Sequence, residues 1–177
     1  MTTTFLVATI IIVLVALAAF LTKGDLVIER RINVNKPLQK VFDYLKFSKN
    51  QDNFSVWNMA DPGMHKEYSG TDGTVGFVYR WNSITNKNVG AGEQETKRIK
   101  DGGAGIDYEV RFVRPMQNVA KSNFVFTKID KDQTRVQWGF YSKSKFPMSL
   151  MKPVFQRMLG KDLEKSLLNL KIVLEKE

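Results

Sequence analysis

EYSGTDGTVGFVYRW, residues 67–81, sets Gly70, Gly73 and Gly76 at intervals of three ahead of an aromatic run. A phosphate-cradling loop needs a strand, G-x-x-x-x-G-K-[ST] and then a helix whose free amides meet the anion, and a dinucleotide fingerprint likewise opens a helix. Here the glycines lead instead into Phe77, Tyr79 and Trp81, which alternate along an extended chain. The lysine and the helix are both missing. Thr71-Asp72-Gly73-Thr74 therefore reads as a hairpin turn, and Gly76 as a glycine marking a bulge or bend in the strand. Nucleotide chemistry on this loop is excluded, and the fold is to be sought among antiparallel strands.

Working outward, period-two alternation continues to Tyr141. In GIDYEVRFVRP, residues 105–115, Ile106, Tyr108, Val110 and Phe112 face one way and Asp107, Glu109 and Arg111 the other. Phe124 with Phe126, and Val136 with Trp138 and Phe140, line further strands. Asp72-Gly73, Asp101-Gly102-Gly103 and Lys131-Asp132-Gln133 supply the turns of an antiparallel meander. Upstream, LVIERRINVN (26–35) reads as a strand. Asn35 and Pro37 offer a cap and a first-turn proline for a helix over 38–47, and a second short helical piece is expected over 50–56. The chain closes on FPMSLMKPVFQRMLGKDLEKSLLNLKIVLEKE (146–177), a long amphipathic helix from about Met148 to Glu175. Met151, Phe155, Met158, Leu159, Leu163, Leu167, Leu170, Val173 and Leu174 share about half of its circumference and need a sheet to cover them. Pro153 separates a first turn from the rest, and Gly160 costs helicity without ending the pattern.

This order of strand, two short helices, antiparallel strands and one long C-terminal helix resembles the START-like helix-grip superfamily. More narrowly, it is similar to the polyketide cyclase/dehydrase and lipid transport (SRPBCC) family. The likeness runs from about Val27 to Leu174 and rests on INVNKPLQKVFDYL, NFSVWNM, GTDGTVGFVYRW and GKDLEKSLLNLKIVLEK. It implies an α+β fold in which a curved antiparallel sheet wraps around the C-terminal helix. It also implies a hydrophobic cavity between them that holds a lipid or other apolar small molecule. Superfolds host many functions, so the resemblance speaks to fold more than to chemistry.

The N-terminus lies outside that family core. Thr2 to Thr22 carries no ionisable side chain and, as a helix, measures roughly 30 Å, the thickness of a bilayer's hydrocarbon core. Although Ala16-Leu17-Ala18 resembles a small-x-small cleavage site, a cleaved signal needs a basic n-region and a shorter apolar stretch. The reading is therefore an uncleaved transmembrane helix and linker over residues 1–24, followed by a helix-grip domain over 25–177. Lys23, Arg30 and Arg31 follow the helix, so the positive-inside bias places that domain on the cytoplasmic side of a membrane.

The formal net charge of +9 favours anionic partners without choosing among them. With no cysteine, disulfides, zinc knuckles and thiol nucleophiles are excluded. His65 is the single histidine and reads as a solvated loop residue, and Glu93 with Glu95 as an outward, solvated pair. No catalytic residue, cofactor or metal site is expected, and enzyme activity is left open, with binding favoured over turnover. Basic residues beside aromatics, as in FVYRW, lie on the opposite strand face, so nucleic acid is not an expected partner. Lys143, Lys145 and Lys152 beside Phe146 read as a solvated basic patch.

The expected partner is a hydrophobic or amphipathic small molecule or lipid, bound for transport or sensing. A cyclase- or hydrolase-type cavity enzyme and a co-chaperone-like interaction module are the alternatives. The expected lining is Trp57, Phe77, Tyr79, Trp81, Tyr108, Phe112, Phe124, Trp138, Phe140, Met151, Phe155 and Met158. On the last helix Asp162, Ser166 and Asn169 form a polar stripe beside this lining. It either bonds to neighbouring loops and short helices or orients a ligand's polar head.

Overall fold

The computed structural model describes residues 2–21, 25–143 and 148–176, with the side chains of 2, 3, 8, 18–21, 101 and 148 left out. Lys23, Lys145 and Phe146, which entered the readings above, lie outside the described residues. Helix α1 spans Thr2–Leu21, β1 Leu26–Val34, α2 Leu38–Leu45 and α3 Val56–Met59, with a 3-10 turn at Ser48–Asn53. The strands β2 (His65–Ser69), β3 (Val78–Asn82), β4 (Ala91–Lys100), β5 (Gly105–Arg114), β6 (Asn118–Lys128) and β7 (Thr134–Ser142) follow. A 3-10 turn at Met148–Met151 leads into α4, Lys152–Lys176.

The seven strands form one sheet in the order β1-β7-β6-β5-β4-β3-β2, and every pair is antiparallel. The first and last strands lie side by side, so residues 38–59 carry the chain from one sheet edge to the other. Register shifts between Ala91 and Gly92 and between Thr96 and Arg98 curl the sheet. At the opening motif Gly76 (φ 87°) donates its N–H to Thr96 O at 2.8 Å, while Thr96 N–H donates to Phe77 O at 2.9 Å. Two residues thus face one, which is a bulge. Within the turn Gly73 N–H donates to Asp72 Oδ1 at 2.9 Å. The Asp72 carboxylate also accepts from the amides of Ser48 at 2.8 Å and Lys49 at 3.1 Å, holding the start of the 3-10 turn.

Cross-strand register explains where the sheet is packed solid and where it is not. One inward row runs Arg30–Trp138–Phe124–Ile106–Ile99, and Phe124 and Ile106 within it are fully buried. The row Leu26–Ser142–Ala120–Val110–Gln94–Tyr79 is different, because its three central side chains are short. Beyond it lies Trp81–Gly92–Phe112. Between the first row and the short one stands Ile28–Phe140–Ser122–Tyr108–Thr96, short again at Ser122, so a trough runs over the small residues between larger side chains.

Helix α4 lies across this face. Leu163, Leu167, Leu170 and Leu174 are buried in one core with Ile28, Val34, Phe124 and Val136. Burying each leucine contributes roughly 1.5–3 kcal/mol before entropy is counted. Toward its N-terminus the helix stands off the sheet, and the expectation that its whole apolar half is covered is corrected there: Met151 and Met158 stay 44% and 49% exposed. Gly160 has a packing reason, since a Cβ there would sit 2.4 Å from Arg30 Nη2. That guanidinium reaches from β1 to Glu164 at 2.7 Å.

Two local readings change. The N-cap of α2 is Pro37 with no side-chain cap bond, and Asn35 instead donates its N–H to Glu175 at 2.7 Å. The transmembrane anchor, with the membrane as partner and the cytoplasmic placement drawn from it, is also corrected. Among the described residues no helix is long and apolar enough to cross a membrane.

Two glycines test how tightly the sheet edge is built. Gly90 (φ 63°) would place a Cβ 2.2 Å from the Arg114 carbonyl oxygen, whereas Gly102 (φ 64°) would meet nothing within 4 Å. Both substitutions carry the left-handed penalty, but only Gly90 also meets backbone. In urea melts Gly90→Ala is expected to cost more than Gly102→Ala, by at least about 1 kcal/mol. Equal costs would contradict this packing.

Candidate functional site

The trough becomes a cavity of about 310 Å³ where α3 and the N-terminal half of α4 roof it. Its sheet side is formed by Leu26, Ser142, Val110, Gln94 and Tyr79 of the short-chain row, with Ser122 and Phe140 beside them. Trp81 and Phe112 form the outer ridge and meet edge to face, with centroids 6.0 Å apart and planes at 79°. Gly92 allows this, because any Cβ there would lie 2.6 Å from the Trp81 ring. Trp57 and Trp138 meet at 90° on the inner side. Phe155, Met158, Leu159 and Leu163 of α4 complete the roof. Asn88 and Val89 come from the loop before β4, and Arg114, Pro115, Met116 and Asn118 from the β5–β6 hairpin.

Of the residues expected from sequence, Trp57, Tyr79, Trp81, Phe112, Trp138, Phe140, Phe155 and Met158 line this one space. All three tryptophans of the chain are among them. The others lie elsewhere. Phe77 packs with Met64 and Tyr79 in a separate cluster at the β2–β3 edge. Tyr108 and Phe124 are locked in the solid core, edge to face at 6.2 Å. Met151 sits in the exposed turn before α4.

The polar stripe of α4 also lies outside the lining and serves as a mount. Ser166 Oγ accepts from Val56 N–H at 3.0 Å, and Asn169 Nδ2 donates to Phe54 O at 3.1 Å. Asp162 accepts from the Trp57 side chain, and burial is the main cause that raises its carboxyl above the usual range. The stripe thus bonds to the short helical segment, and that segment carries Trp57, Ser55 and Asn58 into the cavity wall.

Sequence reasoning missed Gln51, Ser55, Asn58, Met64 and Gln94. Residues 48–53 form a 3-10 turn with no repeating period to read. In AGEQETKRIK neither face is apolar, which hid Gln94, although alternation alone sets it opposite Tyr79. The remaining omissions include the small residues Val110, Ser122 and Ser142 and the leucines Leu26, Leu159 and Leu163.

The titratable candidates stand away from the cavity. Glu93 accepts from Arg111 at 2.6 Å and from Arg80 at 2.8 Å, and Glu95 pairs with Lys97 and Arg111, each at 2.9 Å. These bonds, from Arg111 foremost at Glu93 and Lys97 foremost at Glu95, hold both carboxyls below their ordinary values. The pair lies on the outer face as expected, tied into an ion-pair ladder. His65 is exposed, 3.1 Å from Glu67 Oε1. Inside the cavity the one hydroxyl of acidic type is Tyr79, which burial pushes well above the phenol range. It remains a neutral proton donor. Among the described residues, no group of three or more candidate ligands is placed to hold a metal ion.

No family model matches the sequence, and none of the curated proteins does. Solved structures do. Norcoclaurine synthase from Thalictrum flavum, in complex with dopamine and hydroxybenzaldehyde, superposes with a TM-score of 0.65 at 12% identity, over 90% of this chain and 92% of that one. A hypothetical protein from Helicobacter pylori gives 0.62 at 10% identity, over 83% and 86%. A protein from Thermus thermophilus gives 0.58 at 13%, over 85% and 97%. The fold is a helix grip. At these identities the likeness extends to fold alone, and the site must be argued from its own residues.

If the stripe is a mount, Ser166→Ala leaves the Val56 amide buried without its acceptor. A loss of about 1–3 kcal/mol in chemical denaturation is expected. An unchanged midpoint would show that α3 does not depend on this bond.

Proposed function

We propose that this protein binds a hydrophobic small molecule in the cavity between its sheet and its C-terminal helix. One observation carries the reading: an apolar space of about 310 Å³ persists where short side chains cross the sheet and aromatic side chains wall it. That volume stands at the lower end of small-molecule sites, roughly 300–1,000 Å³. Natural cores of this size are ordinarily packed to crystal density, so an apolar space left among aromatics calls for an occupant. The synthase structure shows that a helix-grip protein can hold small aromatic molecules.

Binding is favoured over acid–base catalysis because no carboxylate, histidine or lysine belongs to the lining among the described residues. Tyr79, the one acidic hydroxyl there, is held neutral by burial and has no carboxylate, histidine or lysine of the lining beside it to relay a proton. The open space also weighs against a purely protein-interacting module, which has no use for it. Carriage or sensing of the bound molecule, and membership of the polyketide cyclase/dehydrase and lipid transport family, follow as parts of the same proposal.

The neutral dye N-phenyl-1-naphthylamine, titrated into the full-length chain, tests it. Saturable binding near one per chain is expected, with quenching of tryptophan emission. Val110→Phe fills the centre of the trough and is expected to weaken the dye at least about tenfold. An overpacking cost of about 1–3 kcal/mol leaves room for a folded variant, checked by circular dichroism. Non-saturating binding, or equal affinity in a folded Val110→Phe protein, would contradict the assignment.

A further inference from the structure

The cavity has a polar end that an entirely apolar occupant leaves unused. Tyr79 and Gln94 stand directly opposite each other on β3 and β4, so their side chains share the inner face at roughly 4.5–5.5 Å between Cβ atoms. Asn58 Nδ2 donates to Tyr79 Oη at 3.2 Å and to Asp52 Oδ1 at 2.7 Å. Gln51, one residue before Asp52, is 4% exposed. Gln51, Asn58, Tyr79 and Gln94 all belong to the lining. The amide nitrogens of Gln51 and Gln94 are both buried without a well-formed hydrogen bond, the Tyr108 hydroxyl being the polar neighbour of Gln51.

A buried donor without a partner costs about 1–3 kcal/mol, and two beside one cavity are a cost that a bound acceptor removes. The terminal torsion of glutamine has a broad, two-fold profile, so a half-turn brings either amide group to the lumen. Charge decides what kind of acceptor. The Asp52 carboxylate is matched by Lys66 at 2.8 Å. Among the described residues the single cation of the lining is Arg114, committed to Asn82 and Ser83 on β3 and the loop after it. A carboxylate at the glutamine end would be a buried charge without a counter-ion, which costs far more than a neutral carbonyl.

We infer, resting on the binding reading above, that the ligand is a neutral molecule with one carbonyl-type oxygen. Gln51 and Gln94 receive that oxygen while its apolar body lies against Trp81, Phe112 and Phe140. Ketones, esters and amides satisfy this chemistry; hydrocarbons and carboxylates do not.

Three shape-matched probes separate the cases by calorimetry or tryptophan quenching on the full-length chain: 2-acetylnaphthalene, 2-ethylnaphthalene and 2-naphthoate. The ketone is expected to bind at least about tenfold more tightly than either of the others, as one unsatisfied donor relieved implies. Gln51→Met and Gln94→Met keep side-chain length and remove the amide, and each is expected to shrink the ketone-to-ethyl ratio to within about threefold. Equal affinity for ketone and ethyl compound on the unmutated chain overturns the inference, whether or not the variants fold. A ratio that survives both substitutions, or naphthoate as the tightest ligand, overturns it as well. In those cases 2-ethylnaphthalene still binds and the cavity reading stands. If none of the three binds, both fail.

Discussion

The site depends on a row of short side chains across the middle of a sheet otherwise lined with large ones. Ser142, Ala120 and Val110 stand side by side on β7, β6 and β5, flanked by Phe140, Ser122 and Tyr108 on one side and Phe112 with Trp81 on the other. A helix laid over such a surface rests on the ridges and cannot reach the trough. Dispersion falls off over fractions of an ångström, so the trough stays open unless another group enters it. The cavity is thus a consequence of side-chain volume in register.

The long helix then sets which part of the trough stays open. Its C-terminal half closes against β1 with four buried leucines, and Arg30 reaches through the notch at Gly160 to Glu164. Its N-terminal half carries Phe155, Met158 and Leu159 over the space without sealing it. The segment of residues 54–59 closes the third side, held by Ser166 and Asn169. Polar residues on the helix therefore act one step away from any ligand. They position the wall that the ligand would touch.

Much of this was legible in the sequence. Alternation in residues 105–112 and 134–140 gives the strands, and the heptad-like leucines give the helix. Together they bring eight of the expected aromatic and methionine residues to one cavity. What alternation does not carry is depth. Tyr108 and Phe124 obey the same period as Phe112 and Phe140, yet Phe124 is paired with Ile106 and Trp138, Tyr108 meets its ring edge to face, and both pack solid. The polar stripe was visible on the helical wheel, but its partners lie more than a hundred residues away. Gln94 was hidden because β4 has no apolar face. At the N-terminus hydropathy alone suggested a membrane span, and the described part of α1 does not supply one.

The central claim is that the space over Ser142, Ser122 and Val110 is open and apolar. Xenon enters such cavities and scatters strongly, so a crystal of the full chain pressurised with xenon examines the claim without choosing a ligand. Xenon density between Val110, Phe112, Phe140 and Phe155 is the expected result. Side chains filling that volume, with no xenon there, would contradict the account.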